Sequence, residues 1–223
     1  MTIQYWYYYF NISIDEKSKM VEIDLKAFFG RYRKYVPKRA LQNFHDDIVL
    51  CLENQAHASP IRVKVSSTEF FDIPTEELMI AWIPIPGQEV YFFQDVVDYT
   101  ESGACGMALL VLETYSGYEY QSQTKRGTGA SKHTDYWLFP KGKKPPRDNP
   151  LKEARRLVEV SGILHANEDN SLSKRLKKKE ERLMEFWDGP RPKSGMAPTY
   201  IVVTDFGEPH TAIQFYDSSI KTP

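Results

Sequence analysis

Five histidines and two cysteines are the side chains best suited to metal or nucleophilic chemistry in this 223-residue chain. His45, His57, His133, His165 and His210 show no HExxH spacing, and Cys51 and Cys105 form no CxxC pair. Neither pattern of a zinc site is therefore present, and no metal and no cofactor are expected. Cys51 sits in the apolar run IVLCL and Cys105 in GACGMALL, so both read as small buried hydrophobes rather than nucleophiles. The nearest approach to a catalytic constellation is Asp205, Glu208 and His210 in VTDFGEPHTA. Two acids and an imidazole within six residues suit general acid–base work or a metal. The same Asp-Phe-Gly-Glu-Pro is also what a tight turn requires, and turn chemistry is the preferred account.

Other motifs fall short. Lys125-Arg126-Gly127-Thr128-Gly129-Ala130-Ser131 has the small residues of an anion-cradling loop but lacks GxxxxGK[ST]. Glu22, Asp24 and Lys26 resemble a metal-holding carboxylate pair beside a lysine, but Asp24 is better placed as a helix cap. The Asp205-Phe206-Gly207 tripeptide has none of the accompanying kinase motifs.

Charge is more informative than motif. The formal net charge is −1, from 29 basic and 30 acidic residues. Between Lys125 and Lys193 stand 18 Lys and Arg against 10 Asp and Glu, a net of +8; the remaining 11 basic and 20 acidic residues net −9. Local patches, not totals, determine what a surface attracts. Three clusters carry the positive segment: Lys125 and Arg126 with Lys132; Lys141, Lys143, Lys144 and Arg147; and Lys174, Arg175, Lys177, Lys178 and Lys179 with Arg182. A helical turn of 3.6 residues aligns Lys174, Lys178 and Arg182, with Arg175 and Lys179 beside them. Such a row neutralises phosphates. Trp137 and Trp187 are candidate stacking surfaces for unpaired bases. Against this, Glu180, Glu181 and Glu185 share the helix and pair at i,i+4 as on an ordinary solvated helix.

These groups need elements to hold them. Ile3–Ile14 (IQYWYYYFNISI) reads as an aromatic strand with a return at Met20–Ile23. Leu25, Phe28, Phe29, Tyr32 and Val36 recur at helical spacing behind Asp24, and Pro37 breaks or restarts that helix, which then runs on to Glu53. Strands are expected at Ile61–Val65, Leu78–Ile85, Val90–Tyr99 and Tyr136–Phe139, with Gly106–Tyr115 favoured as a buried strand over a short helix. Gly117–Lys132 and Pro140–Pro150 read as loop and linker. Asn149 and Pro150 are placed to start a helix carrying Leu151, Ala154, Leu157 and Val158, and Ser171 to cap a second, Leu172–Trp187. Tyr200–Val203 and Ala212–Tyr216 form the closing hairpin.

The expected architecture is α+β: an antiparallel or mixed sheet with an N-terminal helix pair and an inserted basic two-helix segment. The division is 1–140 as an aromatic-rich core, 141–193 as basic linker and helices, and 194–223 as a hairpin returning to the sheet. The longest uncharged runs, Met1–Ile14 and Ser102–Leu112, are too short to span a bilayer, and the N-terminus lacks the basic region of a signal peptide. A cytoplasmic protein without membrane contact is expected. The expected function is non-catalytic binding, with the basic region on nucleic acid or an acidic protein surface through Lys125, Arg126, Lys132, Trp137, Lys174, Arg175, Lys178, Arg182 and Trp187. The alternative is a hydrolase or metal-dependent nuclease using Asp205, Glu208 and His210.

Overall fold

A computed structural model describes residues 20–31, 36–67, 75–85, 96–123, 135–140, 156–187 and 198–216. In chain order these form β1 (Val21–Asp24), α1 (Leu25–Phe29), α2 (Lys38–Asn54), β2 (Ile61–Ser67), β3 (Thr75–Ala81), α3 (Val96–Tyr115), β4 (Tyr118–Gln123), β5 (Tyr136–Pro140), β6 (Arg156–Ile163), α4 (Leu172–Trp187), β7 (Thr199–Asp205) and β8 (His210–Tyr216). The fold is α+β: one mixed eight-stranded sheet, curled into a half-barrel, with four helices among the described residues. Strand order is β1-β3-β2-β8-β7-β6-β5-β4. The β1–β3, β2–β8 and β6–β7 pairs are parallel and the others antiparallel.

Local chemistry accounts for most boundaries. Asp24 caps α1 by accepting from the Ala27 amide at 2.6 Å. Gly30 ends α1 after five residues, and α2 starts directly behind Pro37. In β2, Val63 and Val65 face inward while Arg62 and Lys64 face solvent, the alternation of a half-covered strand. The closing hairpin pairs Thr199–Asp205 with His210–Tyr216 in continuous register.

The principal core lies between one sheet face and the α2–α3 pair, joining Phe44, Ile48, Leu52, Met107, Leu110, Val158, Val160, Tyr200 and Val202. The two helices approach closely because α3 presents glycines. A Cβ at Gly106 would sit 2.9 Å from both Phe44 and Ile48 side chains, and one at Gly103 would sit 3.0 Å from the Asp47 carbonyl oxygen. The opposite face of β6 and β7 carries Ile163, Ile201 and Val203, onto which α4 lays Leu183 with Leu172 and Leu176 beside it. Every residue of β7 is buried, as expected of a strand covered on both faces.

Several expectations are corrected. Gly106–Tyr115 is helix, not strand: Leu109 to Leu112 are all inaccessible, so α3 is apolar nearly all round and shows no period. Val96–Tyr99, expected in a strand, is the first turn of the same helix. Leu157 and Val158, expected on the first helix of the basic segment, lie instead in β6, an inner strand whose Val158, Val160 and Ile163 favour extended backbone. The basic segment is thus one strand and one helix among its described residues. Tyr118–Gln123, expected as loop, is β4. Val21–Asp24 is the expected strand, parallel to β3, and the hairpin partner expected for it lies outside the described residues. The aromatic segment Ile3–Ile14 and the Asn149–Pro150 start signal lie outside the described residues.

Candidate functional site

The basic helix α4 begins where expected: Ser171 Oγ accepts from the Lys174 amide at 3.5 Å and the Ser171 carbonyl from the Arg175 amide at 2.9 Å. Its apolar row, Leu172, Leu176 and Leu183, seats it on the sheet. The cations beside that row are committed to the fold. Arg175 donates from Nε to Asn170 Oδ1 at 2.6 Å and from a terminal nitrogen to Ser161 Oγ at 3.2 Å. Lys179 Nζ bonds Glu159 Oε1 and also donates to the Val160 carbonyl at 3.0 Å.

This polar seam sits where β5 stops. Tyr136 pairs with Val158, so Val160 lies beyond the ladder; Asp135 Oδ2 accepts from its amide at 2.8 Å and Lys179 caps its carbonyl. Side chains thereby satisfy strand-edge groups that would otherwise be buried without partners. Burial pushes the Glu159 carboxyl up to about 7; Lys179 opposes the shift, Asp135 adds to it, and Arg182 opposes it more weakly.

The remaining cations face outward. Lys174, Lys177, Lys178 and Arg182 are all exposed. Lys174 meets Asp169 at 3.3 Å and Lys177 meets Glu181 at 3.9 Å, both solvent-screened pairs that contribute little. Lys174, Lys178 and Arg182 follow one another at one-turn intervals of about 6 Å along the helix. Charge also runs against the helix dipole: α4 has no acid in its first turn and no base in its last. Lys174 and Arg175 stand in the first turn, at the positive N-terminus, and Glu185 in the last turn, at the negative end, each placement unfavourable by up to about 1 kcal/mol. Arg175 and Lys179 have structural partners that explain them. Lys174, Lys178 and Arg182 gain nothing comparable from the fold.

The structure therefore separates the expected binding residues. Lys174, Lys178 and Arg182 share the exposed surface of α4, whereas Arg175 is an anchor of the helix. Trp137 does not offer a ring to solvent: it is 7 % exposed and packed with Phe139 and Leu157 on β5 and β6. Lys125, Arg126, Lys132 and the Trp187 side chain lie outside the described residues. Glu159 and Asp135 were not singled out by sequence. The available signal was one acid, Glu159, inside the apolar run RLVEVSGI.

The Asp205–Glu208–His210 group is brought together by the β7–β8 hairpin, where Asp205 and His210 are register partners. Asp205 is 4 % exposed, and its Oδ1 accepts from the Gly207 and Glu208 amides at 2.9 and 3.3 Å. Burial raises its pKa and those two amide bonds oppose the rise. His210 Nε2 lies 2.8 Å from Ser66 Oγ, and burial followed by the Lys64 charge lowers its pKa. Glu208 points to solvent. This geometry is that of an Asx-type turn on a strand mouth. Among the described residues no three His, Cys, Asp or Glu side chains gather to hold a metal ion. Cys51 and Cys105 are free thiols whose pKa values burial pushes up, the reverse of nucleophile activation. No described helix is long and apolar enough to cross a membrane. The chain has no significant match to a protein-family model, a curated protein or a solved structure.

Proposed function

We propose that this is a non-catalytic binding protein whose basic region docks an acidic partner, a nucleic acid or an acidic protein surface, through the outer face of α4. The observation that carries this reading is the division of labour on that helix. Arg175 and Lys179 tie α4 to β6, while Lys174, Lys178 and Arg182 stand exposed in one row. A rigid helix on a buried sheet presents these charges at fixed spacing, which favours steering and register over raw affinity. Nucleic-acid contact of this kind would be to phosphates and carry little sequence information.

The test is fluorescence-anisotropy binding at low salt to labelled duplex DNA, single-stranded RNA and polyglutamate. Wild type is compared with Lys174→Glu/Lys178→Glu/Arg182→Glu. Binding to at least one of these polyanions, lost in the variant with the fold intact, is the expected result. Absence of binding to all three would overturn the proposal.

A further inference from the structure

Arg182 belongs to two charge systems at once. Toward solvent it ends the exposed row that begins at Lys174, one helical turn beyond Lys178. Toward the sheet it stands one turn from Lys179 and favours the ionised form of Glu159 beneath α4. Glu159 is 9 % exposed, and its Oε1 takes the Lys179 ammonium as ion-pair partner. Charge bound on the outer row therefore acts on a titratable group that the docking face does not display.

The groups facing Glu159 come from each element around it. From α4 they are Lys179 and Arg182, both of which favour its carboxylate form. Ahead of β5 stands Asp135, held by the Val160 amide, and its charge opposes that form. From β7 the register partner is Ile201, which carries no charge. Behind the sheet Cys105 of α3 lies within electrostatic reach of Asp135, Glu101 and Lys179, and burial keeps its thiol protonated. Along β6 itself Arg156 is turned to the Tyr118 and Phe215 rings, and Ser161 receives Arg175. Two acids thus meet two bases in this seam, and Arg182 is its exposed member.

An anion seated on Lys178 and Arg182 offsets the support that Arg182 gives the Glu159 carboxylate, so Glu159 holds its proton more tightly in the complex. Linkage makes the effect reciprocal: with Glu159 protonated, the outer row attracts an anion more strongly. We infer that docking of a polyanion on the outer face of α4 takes up a proton at Glu159, so that the partner is bound more tightly below neutral pH than above it. The inference rests on the proposed role of α4 as the docking face. Burial keeps the proton on Glu159 up to about pH 7, so affinity falls as pH climbs through that value and is level on either side of it. The inner and outer sides of a helix are about 10 Å apart, and unit charges so separated at a protein surface change affinity on the order of threefold at low salt.

Fluorescence anisotropy of the full chain with labelled duplex DNA, at pH 6 and pH 8 and one low ionic strength, tests this. Single-stranded RNA or polyglutamate replaces the duplex if only that polyanion is bound. Wild type is compared with Glu159→Gln, whose fold is checked by circular dichroism. Histidines gain charge toward pH 6 in both proteins, so the reading is the difference between them. Wild type should gain about threefold more affinity than Glu159→Gln between pH 8 and pH 6, and the variant should be the tighter binder at pH 8. A second measurement needs no variant: the titration midpoint of the Glu159 carboxyl carbon, followed by NMR in wild type, should move up when the polyanion is added. Equal pH gains in the two folded proteins overturn the inference, as does a Glu159 midpoint that the polyanion leaves in place. If wild type binds through Lys174, Lys178 and Arg182 with either of those results, only the proton linkage falls. If none of the three polyanions is bound at either pH, the docking role of α4 falls with it.

Discussion

At the residue scale the least ordinary group is Glu159, a carboxylate under α4 with Lys179 as its ion-pair partner. Its folded pKa, about 7, stands above the ordinary 4.5 because burial disfavours the charged form by more than Lys179 restores. Asp47 is raised in the same way to about 6, by burial against a hydrogen bond from Ser102. An acid whose folded pKa is raised holds its proton more tightly in the native state. Its contribution to stability is complete below the unfolded pKa and is lost as pH climbs through the folded one. Glu159 should thus lower stability progressively from about pH 4.5 to pH 7. Thermal unfolding at pH 5 and pH 8 checks this. Wild type should lose more Tm between the two than Glu159→Gln, and equal losses would refute the assignment. Removing the partner is a separate matter. Lys179→Met leaves an unpaired buried carboxylate and an uncapped Val160 carbonyl, and should cost about 2 kcal/mol at pH 8.

At the element scale, two contacts fix how helices meet the sheet. Gly162 on β6 lets α3 come close: a Cβ there would lie 2.4 Å from the Thr100 carbonyl oxygen. Backbone cannot swing aside as a side chain does, so Gly162→Ala should destabilise by about 1–3 kcal/mol. A denaturant midpoint equal to wild type would show that α3 is not held at this distance. On the other face Leu183, at 1 % exposure, is the most deeply seated of the described α4 side chains. Leu183→Ala should cost about 2–4 kcal/mol. It should raise amide exchange over Leu172–Trp187 before the α2–α3 core responds; uniform loss of protection would place α4 in the same cooperative unit.

These elements were unevenly legible in the sequence. The Asp24 cap, the Pro37 break, the alternation of β2, the bounds of α4 and the closing hairpin each follow from local chemistry within a few residues. α3 and β6 did not. Both are covered nearly all round, and an element without a solvent face has no polar period to announce whether it is helix or strand. The exposed cation row was legible from spacing alone, but its division was not. That Arg175 and Lys179 turn inward depends on Ser161 and Glu159 of β6, which tertiary packing brings beneath them.

At the scale of the whole molecule, the chain carries nearly balanced charge in two opposed portions, net +8 from Lys125 to Lys193 and net −9 elsewhere. Among the described residues of that positive portion, the exposed cations stand on α4, backed by an apolar row and a polar seam. The central claim is that Lys174, Lys178 and Arg182 act together on an acidic partner. The salt dependence of duplex DNA binding tests it most directly, since each phosphate neutralised contributes about −0.9 to the slope of log K against log salt. Three cations acting together predict a slope of about −3 for wild type, reduced by about one unit in Lys178→Gln. A slope near zero for duplex DNA, single-stranded RNA and polyglutamate alike, or one that Lys178→Gln leaves unchanged, would contradict the claim.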